Sequence, residues 1–532
     1  MIKSLLGCAL AGLFALNTAQ AATITDQGPV AIEARDSGLP EGWAQHGVFV
    51  EILVRAYQDS NGDGIGDLNG LTSRLDYLKS LGVSGIWLMP IFKSQDHDHG
   101  YHVTDFRAIE PDYGTLADFD RLIAEAHRRG IGVIIDYTLN HSSAEHPLFD
   151  AATDGKNSPY RDWYVWAKPK PSGWTTFSGD PWHEVGDEAY YGAFGDALPD
   201  FNLRNPAVLD FHLDNLKFWL NRGVDGFRFD AVGVLVENSS VAWENQPENH
   251  QIMHKVRALL DQYGKRYMVC EAPSDPGAFA AADSCGSAFA FGLQKHIIKS
   301  VKMGRLMPDV LYTLKTLPVA RMGTLLANHD AFAGNRLYQQ LQGDEAAYKL
   351  AAATLLTLPG TPFIYYGEEI GLSASTPVAQ QDQELRGPMS WTAGNGAGFT
   401  SGKPFRPLVE NARTHNVATE DGKPGSLLNF YRTLIKLRTA EPALSTGSFT
   451  ALSKEHEPIF AFLREQGDTR LLVALNYAAR PASIGLPADI DCKSLQLVAA
   501  QPATKAVPAS GKSCELKLAP QQVLILKAPR QG

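Results

Sequence analysis

The sequence predicts an α/β protein: a (β/α)8 TIM barrel with a subdomain inserted after the third strand and a C-terminal all-β sandwich. Three observations carry this. Eight strand-like apolar runs recur along the chain with helix-like stretches between them, the pattern of parallel βα units. The stretch from Ser142 to Asn205 is too long, and too rich in Trp, Tyr, Pro and Gly, for a plain loop. From about residue 446 the pattern changes to short alternating strands.

The chain opens with Lys3, an apolar run from Leu5 to Leu16 and the small-residue site Ala19-Gln20-Ala21. That pattern predicts a signal peptide over residues 1–21, too short for a membrane span, and with it export to the periplasm or the extracellular space. The barrel's first part follows over 22–141. Its strands are expected at Val48–Val54, Gly85–Met89 and Gly132–Tyr137, with an amphipathic helix at Leu116–Arg129. After the insertion at 142–205 the barrel resumes over 206–445. A helix is expected at Asn205–Arg222, and strands at Gly226–Asp230, Tyr267–Glu271, Ala288–Leu293, Gly323–Ala327 and Pro362–Tyr366. A polar, Gly- and Pro-rich excursion runs from Gly371 to about Val417. The C-terminal domain, 446–532, carries strands such as Pro458–Leu463 and Arg470–Leu475. An open doubly wound sheet is the alternative, but no Gly-rich phosphate turn follows the first strand.

With 532 residues, 44% of them apolar and 20% charged, the chain can bury a large core. The net charge of −10 disfavours a grip on nucleic acid. Export leaves four cysteines, which allow three connectivities. Sequence neighbours favour Cys270–Cys285 and Cys492–Cys514, with buried free thiols as the alternative.

Polar groups end several expected strands: Asp136 and His141, Arg228 and Asp230, Glu271, and His329 with Asp330. A lone strand-end carboxylate is usually a cap or a surface salt bridge. Closure of a barrel places all of these around one mouth, where the chemistry of such folds resides. Cleavage of an acetal needs this inventory. One carboxylate captures an oxocarbenium ion, a second carboxyl protonates the leaving oxygen, and further groups hold ring hydroxyls. A second constellation, Asp59-Ser-Asn61-Gly-Asp63-Gly-Ile65-Gly-Asp67, sets oxygen donors at alternate positions with glycine at the sixth. That is the order of a calcium loop, Ile65 giving its backbone carbonyl, although Gly70 replaces the usual twelfth-position Glu. One structural Ca2+ is expected there; the bland alternative is a solvated Asp/Gly turn.

In order and spacing these motifs resemble the α-amylase family of glycoside hydrolases, from Gly47 to about Arg438. The matching segments are Asp136-Tyr-Thr-Leu-Asn140-His141, Gly226-Phe-Arg228-Phe-Asp230, Glu271, Asn328-His329-Asp330 and Leu198-Pro-Asp-Phe-Asn202. The resemblance implies Asp230 as nucleophile, Glu271 as general acid and base, and Asp330 on the 2- and 3-hydroxyls. Arg228 would keep Asp230 ionised, and His141 and His329 would donate to the same sugar. Tyr101 would stack on that sugar. Asp98 would bind its far hydroxyls, and Arg386 resembles an arginine that pairs with that aspartate in the oligoglucosidase branch. Family members with the Asp59–Asp67 segment bind a structural cation there.

Two departures bear on specificity. Many α-amylases carry Lys and His at the third and fourth positions after the nucleophile; here these are Gly233 and Val234. Ala231 is more amylase-like than the Val or Thr usual in oligo-1,6-glucosidases. The expected activity is retaining hydrolysis of α-1,4 bonds in maltooligosaccharides or starch by a monomer. An exo-acting α-glucosidase or oligo-1,6-glucosidase, and an α-glucan glucosyltransferase, are the alternatives.

Overall fold

The computed structural model describes residues 24–33, 36–377, 379, 381–504, 507, 509–510 and 514–529. The signal peptide expected over 1–21 lies outside them. Seven parallel strands form one sheet, in the order Tyr267–Cys270, Gly226–Asp230, Gly132–Thr138, Gly85–Leu88, Phe49–Ile52, Thr361–Tyr365, Gly323–Thr324. The sixth expected strand is where the expectation overran. Ala288–Leu293 is no full strand: Ala288 bridges to Cys270 and Phe289 to Gly323, which joins the two edges of the sheet. Gly292 then turns at φ 98° and Leu293 already opens the helix Leu293–Met303. An apolar run this short does not distinguish strand from buried helix.

The barrel interior is filled by rings, as the layered cores of such barrels require. Phe49 stacks on Phe363 with centroids 4.7 Å apart, and Trp87, Phe289 and Tyr267 close the same cluster. Glycines on the strands make the room. A Cβ on Gly85 would lie 2.4 Å from the Phe49 ring, and one on Gly132 2.4 Å from the Trp43 ring.

Outside the barrel, the helix Leu116–Arg128 starts with a capping box between Thr115 and Asp118, and Pro206–Asn221 with an Asn205 cap. Both match the expected spans to within a residue or two. The segment after the third strand folds over the mouth as a small antiparallel sheet of Trp166–Ala167, Trp182–Val185 and Glu188–Tyr191. It returns to the barrel through bridges between His141 and Asp200 and between Tyr164 and Phe201.

The C-terminal domain packs a five-stranded antiparallel sheet against a three-stranded one, around Leu472, Leu516, Leu524 and Leu526. Both disulfides join sequence neighbours, Cys270–Cys285 and Cys492–Cys514. Buried Arg464, from the strand Ile459–Gln466, reaches out of this domain. It donates to the Thr357 carbonyl at 2.6 Å, at the end of the barrel helix Glu345–Thr357, and to the Gly447 carbonyl at 3.0 Å. Among the described residues no helix is long and apolar enough to cross a membrane.

Candidate active site

The strand ends gather one charged cluster. Arg228 and Asp230 lie two apart on the strand Gly226–Asp230 and so share a face. Glu271 follows the strand Tyr267–Cys270, which the Cys270–Cys285 bond ties at the same level. Arg228 Nη1 donates to Asp230 Oδ1 and to Asp136 Oδ1, each at 2.7 Å, and Nη2 meets Glu271 Oε2 at 2.8 Å. Ala231 turns the chain sharply, at φ 46°, and its N–H donates to Glu271 Oε2 at 3.2 Å. One guanidinium and one strained residue thus set the nucleophile candidate and the acid candidate against each other.

A second charged chain starts beneath them. His329 Nδ1 meets Glu51 Oε1 at 2.5 Å, and its Nε2 meets Asp330 Oδ2 at 3.0 Å and Tyr101 Oη at 2.9 Å. Arg386 Nη2 donates to Asp330 Oδ1 at 2.9 Å. The Tyr101 ring lies nearly parallel to His329, at 19°.

Five carboxyls (Glu51, Asp136, Asp230, Glu271 and Asp330) therefore face three cations, Arg228, Arg386 and His329, so full ionisation of all five is disfavoured. Burial pushes Glu271 up to about 7, against the opposing charge of Arg228, with Asp230 and Asp330 adding to the rise. Burial also raises Asp136 to about 6 and lifts Asp230 above its ordinary value, Arg228 limiting both. Burial would raise Asp330 too, but the charge and hydrogen bond of His329, with Arg386, hold it below the usual range. His329 is buried, which disfavours its charge, yet Asp330 and Glu51 raise it to about 10. Glu271 is thus pushed toward the protonated form that a general acid needs, while Asp330 is held ionised.

The cluster opens into a cavity of about 580 Å³ lined by Tyr101, His141, Asp230, Glu271, Asp330 and Arg386 among others. Burial pushes His141 down to about 3, so its ring is neutral, and its Nε2 has no partner among the described residues. One expected pairing is corrected. Arg386 does not reach Asp98; it binds Asp330 and, at 3.4 Å, Asp382, one helical turn before it. Asp98 pairs instead with Arg406, at 2.6 Å. Glu51 and Arg406 escaped sequence reasoning. Glu51 sits inside an apolar strand, and Arg406 is a single cation in a Gly/Pro-rich excursion.

The Asp59–Asp67 loop has the turns of a calcium loop. Asp59 accepts from Gly62 and Gly64 N–H, Asn61 from Asp63 N–H, and Asp63 from Ile65 N–H. Gly64 takes φ 95°, and a Cβ there would meet the Lys403 carbonyl at 1.9 Å. The donor set suits a hard cation. Asp67, however, also caps the helix Leu68–Ser73 through Gly70 N–H and accepts from Ser60. Asp59, Asp63 and Asp67 are not among the three-residue groups at metal-ligand spacing that the described residues form.

Residues 51–447 match the family described as alpha amylase, catalytic domain. The chain belongs to the α-amylase family. It is similar to the trehalose synthase/amylase TreS of Mycolicibacterium smegmatis, 35% identical over 500 residues that cover 82% of this chain and 83% of the relative. An oligo-1,6-glucosidase of Parageobacillus thermoglucosidasius is 30% identical over 537 residues, covering 86% of this chain and 94% of that one. Among solved structures, the α-glucosyl transfer enzyme XgtA superposes with a TM-score of 0.80 at 31% identity, covering 91% of this chain and 99% of that one. Membership of this family makes the chain a carbohydrate-active enzyme of the glycoside hydrolase and transferase type.

Proposed function

We propose that the protein is an exported, retaining α-glycosidase that hydrolyses α-1,4 bonds of short maltooligosaccharides. The observation that carries this is the placement of Asp230 and Glu271 on the two Nη atoms of Arg228, with Glu271 pushed up to about 7 by burial. Asp230 attacks the anomeric carbon while Glu271 passes its proton to the glycosidic oxygen, and the bond to the leaving sugar breaks. Water then adds to the glycosyl carbon as Glu271 takes its proton back, and Asp230 leaves. Asp330, kept ionised by His329 and Arg386, accepts from the 2- and 3-hydroxyls as the ring flattens. Neutral His141 offers its free Nε2 to another hydroxyl, and Tyr101 stacks on the ring.

Asp98, three residues before Tyr101, pairs with Arg406, which supports a site closed at the non-reducing end and hence short substrates. Asp59, Asn61, Asp63, Ile65 and Asp67 would hold a structural Ca2+, whose binding would rigidify the exit of the first strand and take no part in catalysis. A second reading, glucosyl transfer, is favoured by one feature. The cavity is also lined by Phe177, Phe194, Phe332, Val234, Ala272 and Pro273, apolar faces on which an acceptor sugar would pack.

Time-resolved NMR and chromatography of products from maltose, maltotriose, maltoheptaose, starch and isomaltose test both. Free α-glucose and shortened chains from the α-1,4 oligomers are expected, with isomaltose poor. Dominant products longer than, or isomeric with, the substrate establish transfer. β-Anomers released first would refute Asp230 as nucleophile.

A further inference from the structure

On the leaving-group side, the loop after the fourth strand folds back into the cavity. Its residue Asn245 adopts a left-handed backbone, φ 53°, a conformation that Asn tolerates better than most residues. The Asn245 N–H donates to the Gly233 carbonyl at 2.6 Å, and Asn249 Nδ2 donates to the same oxygen at 2.7 Å. Position 233 has no side chain, and Asn245 takes the space. A Cβ built on Gly233 would lie 3.0 Å from Asn245 Oδ1. That Oδ1 is buried and has no hydrogen-bond partner among the described residues, although the residue lines the same cavity as Asp230 and Glu271. A buried carbonyl oxygen left unpaired is costly, so one that lines the same cavity as Asp230 and Glu271 points to a ligand.

The ligand's position follows from the acid. Glu271 must face the glycosidic oxygen, so the residues just past it border the leaving sugar. Ser274 is one of them, and its Oγ donates to Glu244 Oε1, the neighbour of Asn245, at 2.6 Å. Ala272, Pro273 and Val234 of the same lining are apolar, and Asn245 joins Glu244 and Ser274 as its polar members; Glu244 Oε1 already accepts from Ser274, whereas Asn245 Oδ1 has no partner among the described residues.

We propose that Asn245 is a specificity-determining residue for the leaving or accepting sugar, its Oδ1 accepting a hydrogen bond from a ring hydroxyl of that sugar. This rests on the glycosidase reading of the site. It explains how a chain with Gly233 in place of a long polar side chain still recognises a polyol on this side: the contact is supplied from the neighbouring loop.

The test compares kcat/KM for maltose, whose leaving group is a sugar, with that for an aryl α-glucoside, whose leaving group has no ring hydroxyls. Asn245→Gly keeps the left-handed backbone accessible and removes the amide. It is expected to lower the maltose-to-aryl ratio about tenfold, a change typical of one lost hydrogen bond. Asn245→Asp retains the acceptor oxygen and is expected to keep the ratio within about threefold of wild type. Melting temperatures of the variants control for folding. An unchanged ratio in Asn245→Gly, or equal losses on both substrates, overturns the assignment. A wild type that cleaves neither substrate overturns the glycosidase reading itself, and this inference with it.

Discussion

Replacing Arg228 by lysine probes the logic of the site most directly. The guanidinium spends separate nitrogens on Asp230 and Glu271, while Nη1 also serves Asp136. A lysine has one compact ammonium and cannot hold the three carboxyls in that fork geometry. At least one charge-assisted bond to a reacting carboxyl is lost, worth about 1.5–3 kcal/mol. At about 1.4 kcal/mol per tenfold in rate, kcat should fall about 10- to 150-fold.

The pH profile carries a second, independent signature. Asp230 must be ionised, so activity is lost as pH falls through its pKa; Glu271 must be protonated, so activity is lost as pH rises through its value near 7. Arg228 lowers both groups, so losing its forked contact to one or both lets them rise and moves the bell to higher pH. The assay is kcat and kcat/KM on an α-glucoside between pH 4 and 9, in buffers of constant ionic strength, with circular dichroism to establish folding. A folded variant with kcat within threefold of wild type and an unmoved profile would refute the reasoning.

Other outcomes follow from the same geometry. Asp230→Asn and Glu271→Gln should each remove nearly all turnover without loss of fold, measured by a sensitive aryl-glucoside assay beside thermal melting. Excess chelator should lower the melting temperature of the purified protein and spare the turnover of what remains folded; an unchanged melt with no metal by elemental analysis would remove the calcium loop from the account. Replacing both Cys270 and Cys285 by alanine opens a link spanning 15 residues and should cost about 3 kcal/mol in denaturant stability. It should also lower kcat, because Cys270, which forms the bond, directly precedes Glu271. Retained stability in the double-alanine variant would show that the strand is held by packing alone.

The barrel was legible because buried parallel strands are written as apolar runs ending in polar residues, and those ends, from Asp136 to Asp330, lie around one mouth. The sixth position misled because Ala288-Phe-Ala-Phe-Gly-Leu293 satisfies a strand pattern until Gly292 turns it. Glu51 was hidden for a related reason. A single acid in Phe49-Val-Glu-Ile reads as an interruption of core, and only the closed barrel brings it beneath His329 from 278 residues away. Arg406 and Asn245 lie in irregular segments, where no periodicity reports which way a side chain faces. For Asp98 the resemblance supplied the right kind of partner at the wrong arginine.

Arg464 bears on how this protein can be cut. It is buried, and it answers a carbonyl at the end of a barrel helix from a strand of the other domain. Arg438, from the helix Leu427–Ala440, does the same for the Leu356, Leu358 and Gly360 carbonyls nearby. Truncation near residue 446 would therefore strip a hydrogen-bond donor from the floor of the catalytic domain and bare the apolar surface beside it. The two domains share buried contacts, so a minimal catalytic fragment calls for redesign of that floor rather than a stop codon.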